Sequence, residues 1–127
     1  MVSSIYTQLV TIHGMTKDNY VFPLVYALLP NKQTDTYIWL YERLLEAAPK
    51  LKPDTILIDF EKANITALLE TFGEDITLQG CHFHYVQAIY RHMTKLQMKD
   101  LYLEDSDFSL FFRKIFALSF VPPDSVR

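Results

Sequence analysis

Two segments in the first thirty positions have the hydrophobic pattern of strands, and the first of them alternates with a period of two. Ile5–His13 (IYTQLVTIH) and Tyr20–Pro30 (YVFPLVYALLP) are rich in β-branched and aromatic residues and are joined by a short polar segment. This pattern predicts two strands, and the short connection favours an antiparallel hairpin. Pro23 has no amide hydrogen to donate, so we expect the second strand at a sheet edge. Gly14 and Asn19 are expected to supply positive φ in the turn.

The period then changes to that of helices. Helices are predicted over Thr34–Ala48, Ala63–Phe72, Phe83–Lys99 and Phe108–Phe120. Thr34 can cap the first of them, and Gly73 ends the second. Residues 101–107 (LYLEDSD) break the pattern, and short apolar strands are predicted over Thr55–Asp59 and Ile76–Cys81. A hairpin followed by alternating helices and strands predicts an α/β fold, a mixed sheet with helices on its faces.

Composition narrows the class of protein. The chain has 127 residues, half of them hydrophobic, which is enough for one packed domain. A net charge of −3 excludes a chain that is basic throughout, and the single cysteine excludes an internal disulfide. The longest apolar run, Val21–Leu29, is too short to span a bilayer, and the N-terminus lacks the features of a signal peptide. We therefore expect a soluble, intracellular protein.

An acidic residue at the end of an apolar strand is the first candidate for chemistry. In TILIDFEKA, residues 55–63, Asp59 follows four strand residues and precedes a helix. The structural interpretation makes Asp59 a helix N-cap. The functional one makes it a ligand for Mg²⁺ at the carboxyl end of a strand, where α/β sheets form their sites. The two roles are compatible, and Glu61 is expected to complement the helix dipole.

A second candidate is the segment GCHFHYVQ, in which Cys81 and His84 have the spacing C-x-x-H at a strand–helix junction. A closed zinc site needs four ligands, and one cysteine with scattered histidines makes a self-contained site improbable, so a small buried thiol is the simpler interpretation. Arg91, Lys95 and Lys99 form a basic stripe. A solvated helix face is its simplest interpretation, and phosphate contact is the alternative.

The last predicted helix is unusually apolar. Between Phe108 and Phe120 the chain carries five phenylalanines together with leucine and isoleucine. An isolated terminal helix does not normally expose so much apolar surface. We expect this helix to dock on a partner, on a second copy of the chain, or on further polypeptide.

Four segments in this order resemble the transposase domain of Mutator-like elements, the MULE family. They are QLVTIHG, FPLVYALLPNKQTDTYIWLYERLL, TILIDFEKA and GCHFHYVQAIYRHM, and the resemblance extends from about Ile5 to Val121. It implies a ribonuclease-H-like fold with a DDE active site, in which two Asp and one Glu bind two Mg²⁺ or Mn²⁺ ions. One ion activates a water or a 3′-hydroxyl, and the other stabilises the leaving oxygen. The implied partner is transposon-end DNA, and the implied location is the nucleus in a eukaryotic host, or otherwise inside the cell.

The resemblance assigns roles to three residues. Asp59 matches the second catalytic and metal-binding acid, and Cys81 and His84 match a C-x-x-H motif beside the site that helps to handle DNA. The first catalytic Asp would precede QLVTIHG, where no acid occurs, and the catalytic Glu would follow a helical insertion. Residues 1–127 are therefore expected to be a partial domain that lacks the first strand and the catalytic C-terminal helix, with residues 100–127 beginning the insertion.

Three functions are open at this point. The first is a fragment or relic of a DDE transposase core, inactive alone because one carboxylate cannot hold two metal ions. The alternative is a domesticated, non-catalytic module that binds DNA or protein. The third is a small metal-dependent nuclease that uses Asp59 with Asp54, Glu61 or Asp75, although Asp54 stands at the other end of the same strand.

Overall fold

The computed structural model describes residues 6–126, apart from the side chain of Pro123, so Ile5 of the predicted first strand lies outside the described residues. The elements are β1 Gln8–Met15, β2 Val21–Leu29, α1 Thr34–Ala47, β3 Thr55–Ile58, α2 Lys62–Phe72, β4 Thr77–Gly80, α3 His82–Lys95, α4 Lys99–Glu104 and α5 Ser106–Ala117, followed by single 3₁₀ turns at Leu118–Phe120 and Pro123–Ser125. The predicted α/β class is confirmed. Helix α4 occupies part of the segment that the periodicity predicts as a break.

The hairpin has the predicted antiparallel pairing. Its register extends from Gln8 opposite Leu29 to Met15 opposite Val21, with a shift between Ile12 and His13. Val25 lies opposite Ile12 and Pro23 opposite His13, so Leu24 is an extra residue in β2. The extra residue is a bulge, a feature that locally bends a strand and strengthens its twist.

The turn of the hairpin uses one of the two predicted positions. Asn19 has φ of 63°, as expected, and the amide of Thr16 donates to the carbonyl oxygen of Tyr20. The prediction for Gly14 is wrong, because Gly14 lies inside β1 without positive φ and the strand continues to Met15. Gly14 instead leaves room for Leu24, since a Cβ there would lie 3.0 Å from a methyl group of that side chain.

Strands β3 and β4 form a second pair, which is parallel. The amides of Thr77 and Cys81 donate to the carbonyl oxygens of Asp54 and Ile58, at 3.0 and 2.8 Å, so both strands advance in the same direction. Among the described residues, this pair and the hairpin are two separate two-stranded sheets. The sequence predicts one mixed sheet. The antiparallel and parallel pairings are present, but hydrogen bonds do not join them within residues 6–126.

The described chain divides into two compact units, of which the first comprises residues 6–56 and 61–77. It contains β1, β2, α1 and α2, and its buried side chains are Leu29, Tyr37, Leu40, Tyr41, Ala67 and Leu68. The rings of Tyr41 and Phe72 pack with centroids 5.8 Å apart. Gly73 ends α2 with φ of 86°, as predicted.

The prediction that Thr34 caps α1 is wrong. Thr34 is the first residue of the helix, and the N-cap residue is Gln33, whose side chain makes no capping hydrogen bond. The side chain of Asn31 makes hydrogen bonds at this end of the helix instead. Its Oδ1 accepts hydrogen bonds from the amide of Gln33 at 3.0 Å and from the hydroxyl of Thr36 at 2.7 Å.

The second unit comprises residues 57–60 and 78–126. Tyr102 of α4 contacts Tyr90 of α3 and Phe112 of α5, each at a centroid separation of 6.1 Å. Asp105 caps α5 by accepting hydrogen bonds from the amides of Asp107 and Phe108.

Part of the apolar surface predicted for the last helix is therefore covered within the unit. Leu110, Phe111 and Phe120 remain at least half exposed. Docking or self-association through this helix stays a prediction. No helix within residues 6–126 is long and apolar enough to cross a membrane.

Candidate functional site

The carboxyl ends of β3 and β4 bring two of the predicted site segments together. Asp59 follows the last residue of β3, and Cys81 follows the last residue of β4. The amide of Cys81 donates to the carbonyl oxygen of Ile58 at 2.8 Å, so the two strand ends are adjacent in the sheet. Neighbouring strands lie about 4.8 Å apart. Asp59 and the C-x-x-H segment therefore leave the same edge of a parallel pair, which is where open α/β sheets place their sites.

An aromatic contact packs this edge. The ring of Phe60 lies over Gly80, where an added Cβ would be 2.7 Å from the ring, and it also lies 6.5 Å from the ring of Tyr85 in α3. The residue after Asp59 thus packs against the end of β4 and the first turn of α3. The sequence pattern did not indicate the contacts of Phe60 with Gly80 and Tyr85. The glycine at the end of the strand is the feature from which the close approach of a ring could have been predicted.

Cys81 and His84 lie at the start of α3. Cys81 is the N-cap residue, its side chain makes no capping hydrogen bond, and it is partly exposed rather than fully buried. His84 is the third residue of the helix, is exposed, and contacts the ring of Phe83 edge-on. His84 is therefore accessible to a ligand at this strand–helix junction, and Cys81 is partly accessible.

His82, between these two residues, has a structural contact instead. Its Nδ1 lies 2.6 Å from the hydroxyl oxygen of Ser119, and its ring lies 4.4 Å from the ring of Phe120. The hydroxyl of Tyr85 donates to the carbonyl oxygen of Ile115 at 3.0 Å. The first turn of α3 is therefore attached to the end of α5 and the 3₁₀ turn that follows it.

The structure assigns the N-cap of α2 differently from the sequence. That helix begins at Lys62 and its N-cap residue is Glu61, so Asp59 stands two residues upstream of the cap. The interpretation of Asp59 as the N-cap is therefore wrong. The segment after β3 continues as an irregular stretch before the helix starts, and this leaves Asp59 at the strand end rather than at the helix end.

Glu61 does not cap α2 through its side chain. Its Oε1 accepts a hydrogen bond from the hydroxyl of Tyr37 at 2.8 Å, and its Oε2 lies 3.1 Å from Nζ of Lys32. The hydroxyl of Tyr37, a buried residue, also accepts from Nε2 of Gln8 at 3.0 Å. Glu61 therefore joins α2 to α1 and the hairpin within the first unit. The prediction of a simple dipole partner missed these contacts, which involve residues distant in sequence.

The resemblance implies a site for two divalent ions, which needs a cluster of metal-binding side chains. Within residues 6–126, no three His, Cys, Asp or Glu side chains come together as a group able to hold a metal ion. Two-metal sites for phosphoryl chemistry need several carboxylates close together. The described residues alone do not fit such a site.

The nuclease alternative gains no support either. Asp54 precedes β3 and Asp75 precedes β4, whereas Asp59 follows β3, so they belong to opposite ends of the strands. A four-residue strand is about 13 Å long, which is too far for a shared ion. The carboxylate of Glu61 accepts a hydrogen bond from Tyr37 and forms an ion pair with Lys32.

One surface groove of the first unit lies elsewhere. It measures about 450 Å³ and is lined by residues that include Tyr6, Leu28, Pro30 and Trp39. None of Asp59, Cys81 and His84 lines it.

Comparison with known proteins gives the family. A family model described as the MULE transposase domain matches residues 3–88, about two thirds of the chain. Searches of curated proteins and of solved structures found no match. The matched range contains Asp59, Cys81 and His84 and ends within α3, so the resemblance up to Val121 is supported only as far as residue 88. Because the match covers most of the chain, this chain belongs to the MULE transposase domain family.

Proposed function

We propose that the chain forms part of the catalytic core of a DNA transposase, with Asp59 as one of its metal-binding carboxylates. Family membership supports a transposase-related function, DNA as the partner and dependence on a divalent metal ion. The observation that carries the residue assignment is the position of Asp59, directly after β3 and beside the end of the parallel strand β4. A carboxylate at this edge lies where loops of an α/β sheet converge on a ligand.

The proposal includes a limit on activity. The described residues assemble no group of three metal-binding side chains, so we propose that residues 1–127 alone do not cleave DNA. Further carboxylates would have to come from residues outside those described. A metal pair bound there would activate the attacking oxygen and stabilise the leaving one.

We further propose that the described strands belong to a ribonuclease-H-like sheet of DDE type. The order β-β-α-β-α-β-α and the family match support this. Each of β1 and β3 has one hydrogen-bonded strand neighbour within residues 6–126. Another strand could therefore pair with the second edge of β1 and with the second edge of β3.

Cys81 and His84 are proposed to contact DNA beside this site. Their position supports the assignment, because Cys81 adjoins the strand end next to Asp59 and His84 is exposed one turn into α3. The proposed location follows from the substrate, namely the nucleus in a eukaryotic host and otherwise inside the cell.

A cleavage assay tests the proposal. The purified chain is incubated with Mg²⁺ or Mn²⁺ and with duplex DNA that carries candidate terminal repeats, beside an Asp59→Asn variant. We expect no metal-dependent product from either protein. Product that disappears in the variant would contradict the inactivity but support the role of Asp59. Product that persists in the variant would contradict both parts.

A second candidate function is a non-catalytic module derived from a transposase, which binds DNA or protein. One observation favours it. On the outer face of the hairpin, Leu9, Tyr26 and Leu28 are more than half exposed, and adjacent apolar side chains of this size are characteristic of interaction surfaces. Size-exclusion chromatography separates the alternatives, because a strictly monomeric chain without self-association would weaken a protein-binding role.

A further inference from the structure

Helix α3 differs in charge from the rest of the chain. It contains no Asp or Glu, although the whole sequence has 15 acidic and 12 basic residues. Each of the other four α-helices within residues 6–126 carries at least one acid. Four side chains of α3 form what we call the basic face, and all four are exposed: His84, Arg91, His92 and Lys95.

These side chains lie on one side of the helix. Positions 84, 88, 91 and 95 follow the helical repeat, and position 92 adjoins both 88 and 95. The basic face spans about 16 Å along the axis, given a rise of about 1.5 Å per residue. Met93 is buried, and Val86, Ile89 and Tyr90 are partly buried, so the apolar side of α3 lies opposite the basic face.

The charges of this face are not neutralised by the protein. Neither Arg91 nor Lys95 forms an ion pair with any residue that the structure describes, whereas Lys32 and Arg43 are paired with Glu61 and Glu46. Like charges four residues apart, such as Arg91 and Lys95, slightly destabilise a helix. A merely solvated helix face usually interleaves both signs, and this one does not.

The helix dipole explains only part of the distribution of charged residues along α3. His92 and Lys95 lie in the last turn, where cations are favoured. Acids are favoured in the first turn, yet α3 has none there. The N-cap residue of α3 is Cys81, whose amide donates a hydrogen bond to the carbonyl oxygen of the residue before Asp59. The basic face therefore extends away from the candidate site within one unit.

We propose that the basic face of α3 binds the phosphate backbone of duplex DNA. This inference rests on the proposed function, because it takes DNA as the partner. The guanidinium of Arg91 presents paired donors to phosphate oxygens, and Lys95, one turn along, reaches a different phosphate. Such contacts hold DNA in place independently of its sequence. The face would secure a duplex beside Asp59.

Salt-dependent DNA binding tests the proposal. Anisotropy of a labelled 30-bp duplex is titrated with the full chain from about 25 to 150 mM salt, and the slope of log K against log[salt] reports the number of neutralised phosphates. The test variant is Arg91→Gln/Lys95→Gln. The matched control is Lys50→Gln/Lys52→Gln, which removes two exposed charges from the first unit.

We expect the α3 variant to weaken binding and to lower the magnitude of the slope by about 1.8, that is, about 0.9 for each lost contact. The control should keep the slope of the unaltered chain. Ala88→Glu, which adds an acid at an exposed position of the same face, should also weaken binding, and circular dichroism would verify that each variant is folded.

Four results would overturn the proposal. Equal weakening in the α3 variant and the control would reveal a net-charge effect only. Unchanged binding in the α3 variant would place the DNA surface elsewhere and leave DNA as the partner. Failure of the unaltered chain to bind duplex at the lowest salt would remove both the basic face and the DNA partner. Tighter binding to an RNA duplex of the same length would replace DNA by RNA.

Discussion

The two units of the chain are stabilised by different means. The first buries six side chains from β2, α1 and α2 and adds the polar contacts around Glu61. Among its described residues, the second buries Ile58 and Met93, and it relies on ring contacts among α3, α4 and α5, several of them partly exposed. The candidate chemistry belongs to the second unit, which contains Asp59, Cys81 and His84. The first unit therefore buries more side chains, and the candidate site residues lie in the unit that buries fewer.

The largest expected effect comes from the core of the first unit. Leu68→Ala in α2 removes a side chain that is 2% exposed, and it should lower the free energy of unfolding by about 2–5 kcal/mol. Leu110→Ala in α5, where the side chain is 50% exposed, should cost below about 1 kcal/mol. Urea denaturation measures both values. Equal losses would contradict the contrast between the units.

The polar contacts of Glu61 should give the next largest effect. Glu61→Gln keeps the size of the side chain but removes the charge that accepts from the buried Tyr37 hydroxyl, at an expected cost of about 1–2 kcal/mol. Glu46→Gln is the control, because the pair of Glu46 with Arg43 is more than half exposed and should contribute at most about 0.5 kcal/mol. A control loss as large as that of Glu61→Gln would show that burial of Tyr37 does not strengthen the contact.

The smallest of these effects concerns the site edge of the second unit. Gly80→Ala places a Cβ against the far end of the Phe60 ring, which is exposed enough to move, so we expect a loss of about 1 kcal/mol. Phe60→Leu removes the contacting ring atoms and should relieve that loss. The coupling is measured by a double-mutant cycle. Additive losses would show that the ring does not rest on Gly80.

Features encoded by neighbouring residues could be predicted from the sequence. The β-branched and aromatic composition of β1 and β2, the helical period of α1 and the end of α2 at Gly73 all depend on residues within a few positions. The same holds for Asp59, since its place after a short apolar strand can be recognised from five consecutive residues. Asn19 was predicted because asparagine tolerates positive φ.

Features that depend on distant partners could not be predicted. Glu61 bonds to Tyr37, 24 residues earlier, and His82 contacts Ser119, 37 residues later. The sequence also does not indicate that α2 begins at Lys62 rather than directly after Asp59. Asp59 and Glu61 are both acids, and an acid is favoured at the N-cap or in the first turn of a helix. The sequence did not predict α4, because its six residues are too few to show a helical period.

The central claim is that Asp59 is a metal-binding carboxylate whose co-ligands are not among the described residues. Calorimetric titration of the chain with Mn²⁺, beside Asp59→Asn, tests it most directly. We predict no saturable binding below about 1 mM in either protein, since oxygen-ligand sites gain affinity with the number of charged ligands. Tight Mn²⁺ binding by the unaltered chain, lost in Asp59→Asn, would support Asp59 as a ligand but contradict the claim about its co-ligands, because the described residues would then complete a site. Tight binding that persists in Asp59→Asn would contradict both parts of the claim.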